Sequence, residues 1–203
     1  SGGDGVSLSG GTFTVENSTS IADSAASGLK LLDGAEFRTT GLTINTSGEY
    51  GVFQEGGALT ADGLVSVTDS GYDGLHLKNT VFEAGSVVID TTGTSEGEET
   101  KNGIYLDGGS YTIAMSTNIA NVKASGLYAI NNADIATSGL TINSSGEYGV
   151  YLEGGAFKSD GTLSVSGSLK EGFYGQNMKC IHLGDAVFNQ QNSENEIDGL
   201  FIQ

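Results

Sequence analysis

A glycine followed at once by an aliphatic or aromatic residue recurs along the whole chain: Gly5-Val6, Gly28-Leu29, Gly51-Val52, Gly74-Leu75, Gly103-Ile104, Gly126-Leu127, Gly149-Val150, Gly172-Phe173 and Gly199-Leu200. The steps between these glycines are 23, 23, 23, 29, 23, 23, 23 and 27 residues. Other apolar columns keep the same period. Two residues past the first apolar position stand Leu8, Leu31, Leu77, Leu106, Ala129, Leu152 and Ile202, with Gln54 and Gly175 breaking the column. Eight or nine residues past the glycine stand Phe13, Phe37, Leu59, Phe82, Tyr111, Ile135 and Phe157. A third set pairs Leu42 with Ile44, Leu64 with Val67, Val87 with Ile89, Leu140 with Ile142, and Leu163 with Val165.

Within each set apolar and polar positions alternate, so one side chain points in and the next out. Gly, Asn, Asp and Ser lie between the sets and turn the chain. Three short strands per repeat, with no helical period, predict an all-β, right-handed parallel β-helix of about eight rungs. No rung can bury its apolar residues alone, so stability must come from stacking. A leucine-rich repeat has an overlapping period, but its LxxLxLxxN signature is missing. The nonapeptide calcium roll is represented only by Gly2-Gly3-Asp4-Gly5, once.

A larger repeat lies over the small one. Residues 41–52 read GLTINTSGEYGV and residues 139–150 read GLTINSSGEYGV, an offset of 98 residues. Glu55-Gly56-Gly57-Ala58 matches Glu153-Gly154-Gly155-Ala156 at the same offset. A four-rung unit is read as duplicated, about 28–125 and 126–203. Two stretches break the pattern. Thr94-Ser95-Glu96-Gly97-Glu98-Glu99-Thr100 lengthens one rung and predicts a lateral acidic loop over 92–101, with Glu96, Glu98 and Glu99 exposed. The stretch 172–195, holding Met178, Cys180, Ile181, His182 and Leu183, departs from the column spacing and yields no safe register. Asp198-Gly199-Leu200-Phe201-Ile202-Gln203 starts a new rung without a polar cap. Residues 1–203 are therefore expected to be one segment of a longer solenoid.

Composition narrows the function classes. Lys plus Arg number 8 against 25 Asp plus Glu, for a formal net charge of −17. Nucleic acid and anionic membranes need basic patches, so both are poor partners. The balance suits a solvated surface protein, or one that gathers calcium at its surface; no other cofactor is indicated. Cys180 is the single cysteine, which rules out a disulfide framework within the chain. It is expected as a small buried apolar residue. No apolar run is long enough to span a bilayer, and no signal peptide opens the chain.

The position between the two inward residues of the first strand should face outward. Down the rungs it reads Ser7, Lys30, Phe53, His76, Tyr105, Tyr128, Tyr151, Tyr174 and Phe201. From Phe53 onward this is a ladder of rings at the rung spacing of about 4.8 Å. Such a stripe can stack on sugars or dock a protein, and its rings can also stabilise one another. Glu55, Asp107 and Glu153 lie two positions further along and are placed to accept hydrogen bonds from hydroxyls, or simply to be solvated.

Enzyme chemistry is poorly provided for. Polysaccharide lyases and hydrolases need clustered carboxylates or a basic residue beside them. Arg38 is the single arginine and lies far from the ladder, and no GxSxG elbow is present. An ice-binding face is not indicated, since Thr12-Phe13-Thr14 and Thr43-Ile44-Asn45-Thr46 do not recur in one column.

The Gly-apolar-x-apolar rungs, the Gly56-Gly57-Ala58 and Gly154-Gly155-Ala156 turns, the absence of proline and the lone cysteine resemble the passenger domains of autotransporter (type V secreted) adhesins. The resemblance implies a secreted or cell-surface location on a Gram-negative bacterium, a β-helical stalk, and cell aggregation or host-surface attachment. The implied partners are a host-cell receptor or glycan, or the same protein on neighbouring cells. No catalytic residue carries over, and the GDSGS serine motif of the protease subfamily is absent. Two alternatives stand beside this: a released passenger acting as a soluble effector, and a carbohydrate-active enzyme.

Overall fold

The computed structural model describes residues 2–97, 100–189 and 199–203. It is a parallel β-solenoid with no helix among the described residues. The first strands of the rungs, Val6–Ser9, Leu29–Leu32, Val52–Glu55, Leu75–Lys78, Ile104–Asp107, Leu127–Ile130, Val150–Glu153, Phe173–Gln176 and Leu200–Ile202, stack in that order as a nine-stranded sheet. Pairing follows the glycine count, as in Val52↔Leu75, Ile104↔Leu127 and Val150↔Phe173. The other two strands of each rung belong to a second, folded sheet of twelve strands. In some rungs they fuse into one bent strand, such as Val81–Thr92, whose register shifts between Ala84 and Ser86.

The inward columns fill the interior. Leu29, Val52, Leu75, Ile104, Val150 and Phe173 from the first sheet are fully buried. So are Leu59, Phe82 and Phe157 from the second strands, and Ile44, Val67, Val87 and Ile142 from the third. Each such side chain contributes about 1.5–3 kcal/mol of burial free energy. Phe82 and Tyr111 stack at 5.3 Å inside the core, and the Tyr111 hydroxyl meets Thr117 Oγ1 at 3.0 Å. That bond satisfies a polar group that burial would otherwise leave without a partner.

The two near-identical segments adopt the same structure. Leu42–Ser47 and Leu140–Ser145 show one alternation of buried and exposed positions, and Val52–Glu55 and Val150–Glu153 another. The third corner of the rungs is turned by residues in the left-handed region, among them Asp23 (φ 53°), Thr46 (φ 58°), Asp69 (φ 55°) and Asn121 (φ 54°). Short polar side chains tolerate this conformation because they hydrogen-bond locally.

Three expectations are corrected. The inward pair of the third strand is Val65 with Val67, both fully buried, while Leu64 is 45% exposed. Val65 pairs with Leu42, one 23-residue period earlier, and the inward positions keep one alternation through Leu59, Ala61, Val65 and Val67. Cys180 is exposed. It pairs with Ala156, and the inward place passes to the next residue, Ile181, opposite buried Phe157. The stretch that gave no register is in fact regular over Cys180–Asn189, which pairs with the preceding rung from Ala156 to Ser166, its register shifting between Ser159 and Thr162.

The inserted segment does not simply project. Its first residues lie back on earlier rungs: the Ser95 amide donates to Gly71 O at 3.1 Å, and Ser95 Oγ to Gly48 O at 2.9 Å. Glu96 is exposed. The expected exposure of Glu98 and Glu99 falls outside the described residues.

Candidate binding face

The outward ring column exists as one continuous stack. Phe53 pairs with His76, His76 with Tyr105, Tyr105 with Tyr128, Tyr128 with Tyr151, Tyr151 with Tyr174, and Tyr174 with Phe201. Successive ring centroids are 5.2, 4.6, 5.9, 4.5, 5.2 and 5.1 Å apart, and the planes agree to within 12°. Each stacked pair adds about 0.5–1.5 kcal/mol beyond its buried area.

The ring spacing follows from parallel strand pairing, and the glycine before each first strand lets that strand pack closely on the interior. A Cβ on Gly51 would lie 2.3 Å from Val67 Cγ1 and 2.5 Å from Gly74 O. Only a residue without a side chain lets the first strand nest this tightly over the third.

Stacking decides what the stripe can offer. Every interior ring has both faces covered by its neighbours, so it presents edges and hydroxyls rather than open faces. Phe53, Tyr105, Tyr128, Tyr151, Tyr174 and Phe201 are half-buried. The tyrosine hydroxyls are partly engaged: Gln176 Nε2 donates to Tyr151 Oη at 3.2 Å, and Tyr174 Oη donates to Gln176 Oε1 at 3.3 Å. Burial raises the pKa of Tyr105 and Tyr128, aided by neighbouring carboxylates. Tyr151 is pushed up to about 12, chiefly by burial and then by Tyr128 and Glu153.

Sequence periodicity missed a second set of rings. Tyr50 packs on Phe53 at 5.3 Å, on His76 at 4.7 Å and on Tyr72 at 5.4 Å. In the duplicate, Tyr148 packs on Tyr151 at 5.2 Å and on Tyr174 at 5.6 Å. Lys30 and Lys78 place their ammoniums 5.8 and 6.0 Å from the Phe53 ring centre. Tyr50 and Tyr148 stand just before the glycine, and the matching GEYGV segments were the available signal.

His76 is the exception on the stripe. It keeps the ladder register but is only 6% exposed, so its expected outward presentation is corrected. Tyr50 leans on its ring, and Nδ1 lies 2.7 Å from Asp73 Oδ2. Asp73 is fully buried and is a second missed residue. Its Oδ2 also accepts Thr100 Oγ1 at 2.6 Å, and its Oδ1 accepts the Asn102 amide at 2.6 Å and Asn102 Nδ2 at 3.2 Å. A buried carboxylate is tolerable when its oxygens are satisfied in this way. Asp73 thus fastens the returning end of the insertion to the ladder histidine. His76 Nε2 is buried without a hydrogen-bond partner.

The three flanking carboxylates do not converge. Glu55 and Glu153 are exposed, and Asp107 is half-buried and accepts Asn131 Nδ2 at 2.6 Å. Among the described residues, no three His, Cys, Asp or Glu side chains gather to hold a metal ion. Beside the stripe, Thr100, Lys101, Tyr105, Lys123, Tyr128 and Glu147 line a cavity of about 450 Å³.

No family model, curated protein or solved structure matches this chain.

Proposed function

We propose that this solenoid is a segment of an extracellular adhesin, displayed on the surface of a Gram-negative bacterium by the autotransporter route, whose ring face makes the contact. One observation carries the reading. Seven ring side chains, from Phe53 to Phe201, stand in register on an outer face over six rung steps, roughly 29 Å at about 4.8 Å per rung. A ring surface that stays partly in contact with water, here from Tyr105 to Phe201, is a feature of contact sites. The net charge of −17 favours a well-solvated shaft around that stripe. The Gly-apolar-x-apolar rungs and Gly-Gly-Ala turns support the same assignment by resemblance.

The stacking refines how contact is made. With faces occupied by neighbouring rings, a partner meets ring edges and phenol hydroxyls, supplemented by the carboxylates that flank them. The test is cell attachment and aggregation with the full-length protein displayed on a non-adherent host. Changing Tyr105, Tyr128 and Tyr151 together to Ala should reduce attachment at least tenfold at equal display. Wild-type cells that neither aggregate nor attach to host cells would remove the adhesin reading. Attachment unchanged in the triple variant would leave the stripe as a purely stabilising element.

A further inference from the structure

We propose that the cavity beside Tyr105 and Tyr128 is a subsite for a carboxylated sugar residue of a glycan, an inference that rests on the adhesin reading of the ring face. The hollow is a product of rung stacking. The Ala124 amide donates to Lys101 O at 3.0 Å, and the Glu147 amide to Ala124 O at 3.1 Å. Lys101, Ala124 and Glu147 therefore sit one above another in three successive rungs. The methyl of Ala124 is too short to fill the space between two long side chains. Tyr105 and Tyr128 close one side, at the widest step of the ring stack, 5.9 Å. Thr100, held by Asp73, closes the end that the insertion reaches.

The charge at this hollow differs from that of the chain. Two of the eight basic residues, Lys101 and Lys123, line it. Their stems converge: a Cβ on Gly93 would meet Lys123 Cγ at 2.7 Å and Lys101 Cβ at 2.8 Å. Lys30, Lys158 and Lys170 each have a carboxylate within 4 Å. Lys101 and Lys123 have none among the described residues, although acidic side chains are abundant. Glu147 shares its carboxylate with Lys170 at 3.4 Å.

The ligand chemistry follows from this set. Two lysines whose stems lie side by side along one hollow favour an anionic group there. The ring edges of Tyr105 and Tyr128 give apolar contact to one side of a pyranose, and phenol, threonine and carboxylate oxygens pair with hydroxyls. The volume lies within the range of about 300–1,000 Å³ of small-molecule sites. A uronate or a sialate presents a carboxylate and hydroxyls on one ring, which matches. A neutral sugar would leave the ammoniums unused.

The test titrates the 203-residue chain by calorimetry with tetragalacturonate and with sialyllactose. Tetragalacturonate methyl ester and lactose are the neutral counterparts. At least one acidic probe should bind saturably, at least tenfold more tightly than its counterpart. Lys101→Gln with Lys123→Gln should weaken that binding at least tenfold while the circular dichroism is unchanged. Binding of neither acid, equal binding of acid and counterpart, or full binding by the double variant would each overturn the subsite. Displayed cells separate the two claims. Cells that attach through a chain binding no acidic sugar sink the subsite and leave the adhesin. A chain that binds the acid on cells that attach to nothing does the reverse.

Discussion

Residues 41–52 and 139–150 carry almost the same twelve amino acids, yet they serve different neighbourhoods. In the first copy Tyr50 leans on Phe53, His76 and Tyr72. In the second, Tyr148 leans on Tyr151 and Tyr174, with the Lys170 ammonium 4.8 Å from its ring centre. The tilt of the tyrosine is preserved, at 51° on Phe53 and 57° on Tyr151. What changes is the rung that follows. At an offset of 98 residues, Asp73 becomes Glu171 and His76 becomes Tyr174. Asp73 is fully buried with four hydrogen bonds, whereas Glu171 is half-buried. A local segment dictates its own strands and turns. Its chemical surroundings are set by the rung stacked on it: a buried aspartate tied to the returning insertion in one copy, a half-buried glutamate in the other.

The sharpest way to break the comparison is at this pair of positions. Asp73→Ala strips the partner from His76, Thr100 and Asn102, and should destabilise by about 3–5 kcal/mol. Glu171→Ala should cost less than about 1 kcal/mol. Urea denaturation gives both values, and hydrogen exchange should show lost protection around Asn102 and Gly103 in the first variant alone. Equal effects would mean that the two neighbourhoods are energetically alike.

The next test addresses what the copies share. A Cβ on Gly51 would lie 2.3 Å from Val67 Cγ1, and on Gly149 2.2 Å from Val165 Cγ1. Gly51→Ala and Gly149→Ala should each destabilise by about 1–3 kcal/mol through overpacking. Their costs should match within about 0.5 kcal/mol, as for equivalent, well-separated sites.

Alkali should distinguish the two halves. The folded pKa of Tyr151, about 12, lies above the usual value of 10.0, so folding favours the neutral phenol. Its contribution is fully present below about pH 10 and is lost as pH rises through about 12. Tyr105, Tyr128 and Tyr148 shift in the same direction. Tyrosinate absorbance should therefore rise later in the folded chain than in urea. Hydrogen-exchange protection above pH 10 should fail first near Tyr128 and Tyr151, not near Phe53.

The smallest effect concerns Lys170. Its ion pair with Glu147 is solvent-exposed, with both side chains nearly half accessible. Lys170→Ala should change stability by less than about 1 kcal/mol, read by thermal melting.

Much of this was legible from spacing. Apolar columns at a fixed period reveal strands, faces and the ring stripe, because burial alternates with the strand pleat. The parts that escaped are those where polarity and burial part company. Asp73 is polar and fully buried, in a column that also holds Asp4, Ser27, Tyr50 and Tyr148. No hydropathy pattern marks such a site. Leu64 was misplaced by one because it is a large apolar residue beside the inward position, which one 23-residue period past Leu42 assigns to Val65. Cys180 was judged by residue type, and the strand register overruled the tendency. The cavity depends on Ala124 being small between Lys101 and Glu147, a relation between rungs rather than along the chain.

The backbone bonding between rungs at the glycine columns has a mechanical meaning. Amides such as Val52 N and Leu75 N donate to Gly74 O and Gly103 O in the next rung, and the same direction holds along the first sheet. These bonds lie along the solenoid axis. Tension applied end to end therefore loads them directly, in opening rather than in sliding. The body should yield one rung at a time, dissipating work in small steps, and the first to give are those with the fewest partners across the rung boundary. The rung closed by Asp73 is tied to the residues that follow it by side chains as well as backbone, so it should act as a stop in that sequence.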